Sequence, residues 1–238
     1  MPRYGGDIVL DGHQSKILVT DFSVGSKKLL YSTIEVLTYA VIDSVENLVL
    51  WVPAGETGEF SIKDATSASM LSGTADIVFH KGNGELTASF THLDGMNALM
   101  FSNGLRVMLV DRNTAYRFWA PTLTADPFAP VNETVLVHGP YLVRGVMLSQ
   151  DGKTIELTGD VDASTTITVW GSKEASGLSW NGVNLATVQT TSGSLTSTIS
   201  APDTSKLTMP PLIKWKARDS LPERFPTYND SGVAWVGK

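Results

Sequence analysis

Six Asx-Gly pairs punctuate this chain: Asp11-Gly12, Asn83-Gly84, Asp94-Gly95, Asn103-Gly104, Asp151-Gly152 and Asn181-Gly182. Asn, Asp and Gly tolerate the positive φ of primed turns, so each pair predicts a tight hairpin. The runs between them are short and β-rich: Lys16 to Phe22, Leu29 to Val41, Glu46 to Val52, Ala75 to His80, Asn97 to Ser102 and Leu105 to Asp111. Ile155 to Thr158 and Thr165 to Trp170 alternate apolar and polar residues, the period of antiparallel strands with one wet face. No window keeps a 3.6-residue apolar period with a cap at each end. The single helical candidate is Asn113 to Trp119, with Asn113 as its cap and the residue before Pro121 leaving the helix. The expected fold class is all-β, made of antiparallel β-sandwich-like domains; parallel α/β architecture is disfavoured.

Two proline-rich segments divide the chain. Pro121 to Pro130 holds three prolines, each lacking a ladder donor, and reads as an interdomain connection. Ala201 to Pro211 holds three more and follows a Ser/Thr-rich stretch, Thr190 to Thr198, that suits either an edge strand or a flexible loop. With 238 residues the chain can supply two β cores. The aromatic and proline-rich run after Pro211 is too short to close a third, and both ends of the chain read as cut.

At 42% hydrophobic and 18% charged, the composition is globular. A formal charge of -6 with dispersed Lys and Arg gives no basic footprint for nucleic acid or an anionic membrane. With no cysteine there are no disulfides, thiol nucleophiles or thiolate metal sites. Met1 to Gly6 lacks the apolar run of a secretory signal, which taken alone predicts a cytosolic chain. Two sequons, at Asn132 and Asn229, point outward instead, as possible glycosylation sites or as unused motifs.

Glycosidase chemistry calls for two carboxyl groups flanking a sugar. Glu35, Glu56, Glu59, Asp76, Asp94 and Asp111 carry no spacing that singles out such a pair, so no catalytic residue is assigned. The four histidines, His13, His80, His92 and His138, stand apart from one another, without the paired spacing of a metal site. Asp160 and Asp162 share a strand face, but the Asp-Gly spacing of a calcium loop is missing and solvated carboxylates are the expectation. No cofactor or metal site is expected. Trp51, Trp119, Trp170, Trp180, Trp215 and Trp235 could pack in cores or stack on sugars; Trp180, beside the Asn181-Gly182 turn, is the candidate for sugar stacking.

Tyr4-Gly5-Gly6, Ser15 to Phe22, Leu29 to Thr33, Asp111 to Tyr116 and Tyr141 to Arg144 occur in an order and spacing that resembles the second and third domains of fungal β-galactosidases of glycoside hydrolase family 35. Leu212 to Lys216, Asp219 to Glu223 and Tyr228 to Ser231 resemble the start of that family's next, jelly-roll domain. The resemblance implies three pieces: 1–121, an N-terminally truncated domain 2; 132–202, a domain 3 β-sandwich; and 212–238, a short piece of the third. It implies a secreted glycoprotein parent that hydrolyses terminal β-D-galactosides through a (β/α)8 barrel lying outside this chain. That barrel is the implied partner, and a stand-alone galactoside-binding, lectin-like module is the alternative.

Overall fold

The computed structural model describes residues 2–6, 8, 10, 15–123, 134–190 and 193–201. The first half runs β1 (Thr20–Val24), β2 (Lys27–Ser32), β3 (Glu35–Ile42), β4 (Val45–Val52), β5 (Gly58–Lys63), β6 (Ala68–Ser72), β7 (Ile77–Gly82), β8 (Glu85–Phe90), β9 (Met96–Phe101) and β10 (Arg106–Asp111). One helical turn, α1 (Arg112–Ala115), follows. The second half runs β11 (Phe118–Trp119), β12 (Leu136–His138), β13 (Leu142–Leu148), β14 (Thr154–Asp160), β15 (Thr165–Trp170), β16 (Gly177–Trp180), β17 (Val183–Leu185), β18 (Val188–Gln189) and β19 (Leu195–Ile199).

Two sheets, ordered β1-β2-β5-β8-β7 and β3-β4-β10-β9-β6, enclose the first core, with Leu29, Leu48, Phe60, Leu99, Phe101 and Leu109 among its wholly buried side chains. Two more, β11-β12-β15-β19-β18 and β13-β14-β16-β17, enclose the second around Ile155, Leu157, Ile167, Val169 and Trp180. Pairing is antiparallel except for β4 with β10 and β14 with β16, which run parallel. Leu48, Leu50, Val107 and Leu109 enter the first core, while Val49, Met108 and Val110 face away from it. Strands apolar on both faces belong at the centre of a layered structure, which is where this parallel pair sits.

A third core explains that second apolar face. Ala40, Ile42, Val49, Ala98, Met108 and Val110 from the first sandwich meet Ala115, Phe118, Leu136 and Trp170. Phe118 and Trp170 stack with centroids 5.7 Å apart. A β-bulge between Val36 and Thr38 changes the face that even-numbered residues of β3 present, so Val36 packs on the first core and Ala40 and Ile42 on the shared one.

Several expectations are corrected. The run Leu29 to Val41 is two strands in different sheets, broken where Ser32 Oγ accepts the Ile34 N–H (3.1 Å) and Thr33 bonds to the Glu59 backbone. The helix spans only α1 and is capped by Asp111, whose side chain accepts the Thr114 N–H; Asn113 lies inside it, and Phe118–Trp119 is strand. The Ser/Thr-rich stretch contributes β19, an inner strand between β15 and β18. Of the five described Asx-Gly pairs, four close hairpins; Asp94-Gly95 instead joins β8 and β9, which lie in different sheets. Only Asn181-Gly182 has both residues at positive φ, 50° and 80°. Asp11-Gly12 and the piece 212–238 lie outside the described residues.

Candidate functional site

The most heavily bonded carboxylate is Glu59 on β5. Phe60 and Ile62 turn into the first core, so Glu59 and Ser61 face the opposite side of the sheet, beside Thr87 and Ser89 of β8. Glu59 is nevertheless wholly buried. It accepts the backbone N–H groups of Arg3 (2.6 Å), Tyr4 (2.8 Å) and Gly6 (3.1 Å), and the Tyr31 hydroxyl (2.8 Å). Burial would push its pKa up, but these bonds outweigh burial and hold it below the ordinary glutamate value. Burial and then the bond to Glu59 push the Tyr31 phenol up to about 12. Gly6 is required here, because a Cβ would lie 2.6 Å from both Glu59 Cγ and its backbone nitrogen. Arg3 completes the cover, its guanidinium 5.4 Å from the Tyr31 ring centroid and paired with Glu85. Tyr4 stacks on His80 at 3.8 Å. Tyr4-Gly5-Gly6 and Leu29 to Thr33, separate in sequence, thus meet on one side chain.

Other carboxylates also hold the chain in place. Glu56 pairs with Lys16 Nζ (3.0 Å), whose side chain is only 8% exposed, and Glu35 accepts the Ile17 N–H (2.8 Å). Asp111 caps α1 through Oδ1 and Thr114 N–H (2.7 Å), while Oδ2 accepts the Gly95 N–H (3.0 Å). Burial opposes ionisation of Asp111, and the bonds from Thr114 and Gly95 keep its pKa below the ordinary range. Asp160 pairs with Arg144, and Asp162 binds Arg117 through both oxygens (2.9 and 2.7 Å). The Arg117 bonds lower Asp162 to about 2. Among the described residues, no group of three His, Cys, Asp or Glu could hold a metal ion.

Trp180 is corrected by the structure. The parity of β16 turns it inward, where it is 6% exposed in the second core, leaving no open ring face for a sugar. Gly159 makes the room, since a Cβ there would lie 2.7 Å from the Trp180 ring. Trp170 is buried, as expected of a core residue. The Trp119 indole is half-buried and donates to the Pro140 carbonyl (3.1 Å). The two most exposed aromatics among the described residues are Tyr116 (71%) and Tyr141 (60%), which line one cleft with Asn113, Arg117, Trp119 and Leu142. Sequence reasoning missed them, because no local pattern shows that Tyr116, just after α1, and Tyr141, just before β13, line one cleft. Asn132, Asn229, Trp215 and Trp235 lie outside the described residues.

Residues 1–118 match the family model for β-galactosidase domain 2, and residues 119–196 match that for β-galactosidase domain 3. The chain is similar to a probable β-galactosidase B of Penicillium rubens, 53% identical over 238 residues. Relatives of the same description from Emericella nidulans and Aspergillus niger are 50% and 48% identical. Each alignment covers 99% of this chain but 23% of the relative, so the chain spans about a quarter of the length of the curated relatives it matches.

Proposed function

Because this chain belongs to the β-galactosidase domain 2 and domain 3 families, we propose that it supports a catalytic (β/α)8 barrel of a family 35 enzyme that hydrolyses terminal β-D-galactosides. The domains themselves form a non-catalytic region of such an enzyme. Within the proposal, 1–121 and 132–202 are domains 2 and 3 and 212–238 opens the next, jelly-roll domain. The enzyme is secreted, and Asn132 and Asn229 carry glycans.

The observation that supports this reading most directly is the use made of the buried carboxylates. An acid/base pair needs one carboxyl free to hold and release a proton beside substrate. Glu59 and Asp111 are instead committed as ionised acceptors to backbone N–H groups of Arg3, Tyr4, Gly6, Thr114 and Gly95. That is the work of a scaffold. The purified chain is expected to leave a chromogenic β-galactoside intact, and hydrolysis by the chain alone would overturn the reading. In calorimetry with galactose and lactose no heat of binding is expected; binding at millimolar sugar would favour a galactoside-binding module instead.

A further inference from the structure

We infer that Asn83 is a modification site at which the chain converts its own side-chain amide to isoaspartate, and that the conversion loosens the Arg3 to Gly6 segment covering Glu59. The chemistry needs an asparagine followed by a residue without a side chain, and the chain holds three such pairs: Asn83-Gly84, Asn103-Gly104 and Asn181-Gly182. In such a pair the glycine nitrogen, on giving up its proton, can attack the asparagine Cγ. The Cγ–Nδ2 bond breaks, the amide nitrogen leaves as ammonia, and a cyclic succinimide joins the two residues. Water then opens the ring at Cγ to give aspartate, or at the backbone carbonyl to give isoaspartate, whose chain runs on through Cβ and Cγ.

The three pairs differ in which reacting atoms are held. Asn103 donates Nδ2 to the Lys63 carbonyl (2.9 Å) and accepts the Leu105 N–H (3.1 Å), while the Gly104 N–H is given to the Phe101 carbonyl (2.9 Å). Asn181 is tied at both ends of its amide to the Gly159 backbone, each bond 3.0 Å. Asn83, exposed at the tip of the β7–β8 hairpin, makes no side-chain hydrogen bond among the described residues. The Gly84 N–H has no acceptor among them either, and the space around its Cα is open. Folding therefore withdraws Asn103 and Asn181 from the reaction and leaves Asn83 in it.

This hairpin also carries the outer contacts of the segment over Glu59. Tyr4 stacks on His80 of β7, and Arg3 pairs with Glu85, the first residue of β8. The two strands stay in register down to Gly82 and Glu85, leaving a loop of only Asn83 and Gly84. Isoaspartate lengthens the backbone of that loop and sets a new carboxylate close to Glu85. The Gly82–Glu85 pairing and the bond from the Asp64 N–H to the Gly84 carbonyl (2.8 Å) must then shift, and the contacts to Tyr4 and Arg3 shift with them.

The test follows the chain by peptide mapping during warm incubation at mildly alkaline pH, folded and in urea, beside Asn83→Gln, whose longer side chain closes a ring far more slowly. In urea the three pairs should convert at similar rates. In the folded chain Asn83 should keep a rate of that order, while Asn103 and Asn181 slow by about tenfold or more, as expected where ordinary hydrogen bonds must first break. Hydrogen-exchange protection at Arg3, Tyr4 and Gly6 should fall severalfold in the aged wild type and hold in aged Asn83→Gln. Conversion of Asn83 no faster than that of the other two in the folded chain would overturn the assignment. Unchanged protection in a chain carrying isoaspartate at position 83 would overturn its effect on the segment.

Discussion

The two outer faces of the first sandwich are covered in opposite ways. One presents Tyr31, Glu59, Ser61, Thr87 and Ser89, and the short segment Arg3 to Gly6 lies over it, held by hydrogen bonds to a single carboxylate. The other presents Ala40, Ile42, Val49, Ala98, Met108 and Val110, and the second sandwich packs on it through Phe118, Leu136 and Trp170. Apolar cover scales with area and tolerates pH. Polar cover is stable only while every buried group keeps its partner, so it fails at one atom and titrates. A scaffold with both has a joint that resists solution conditions and a strap that responds to them.

The largest effect is expected at the apolar joint. Trp170 is 4% exposed, is paired in register with Leu136 and stacks on Phe118. Trp170→Ala leaves a cavity between the sandwiches and should cost about 4 kcal/mol. Because the residue serves the shared core, denaturant unfolding should change from one transition to two, with the second sandwich melting first. A single transition displaced by less than about 1 kcal/mol would mean that the third core does not couple the sandwiches.

At the polar strap, Glu59→Gln keeps the shape but removes the charge and sets an amide against N–H donors. The expected loss is about 2–3 kcal/mol, smaller than at Trp170, with faster hydrogen exchange at Arg3, Tyr4 and Gly6. The strap also carries the pH dependence. The ordinary glutamate value is 4.5 and the folded value lies lower, so the stabilisation from ionised Glu59 is complete above the ordinary value. It drains away as pH falls through the folded value. Protection of these amides, taken relative to intrinsic exchange at each pH, should therefore fall in acid for wild type, stay flat for Glu59→Gln over that range, and keep the wild-type slope in Trp170→Ala. Parallel slopes for wild type and Glu59→Gln would remove Glu59 as the titrating group.

These contrasts also explain what the sequence disclosed. Thr165 to Trp170 was legible as a strand and Asn181-Gly182 as a hairpin because alternation and turn chemistry are local. Trp180 was misread because the turn beside it suggests exposure, whereas strand parity and the space left by Gly159, 21 residues earlier, turn it inward. Glu59 had no signature, since three of its four partners are backbone N–H groups and only Gly6 marks the close approach. The runs Leu48 to Val52 and Val107 to Val110 are apolar on both faces, which marks burial on both sides but does not name β4 and β10 as parallel partners; the expected pairing was antiparallel. What covers the second face is a contact between distant segments, and no local pattern names it.

The smallest expected effect lies where the two regions meet. Asp111 and Asn113 are both good capping residues two positions apart, so local preference does not choose between them. The choice is tertiary: the Asp111 carboxylate that caps α1 through Oδ1 also accepts the Gly95 N–H from the β8–β9 connection through Oδ2, a second partner that fixes it in place. Asp111→Ala should then cost about 1–2 kcal/mol, more than a helix cap alone, because two N–H groups lose their acceptor. Asn113→Ala, exposed within α1, should change denaturation by less than about 0.5 kcal/mol. Since α1 carries Ala115 into the shared core, Asp111→Ala should also bring the two sandwich transitions apart, more weakly than Trp170→Ala. If it lowers stability without separating them, the cap serves the first sandwich alone and the joint is purely apolar.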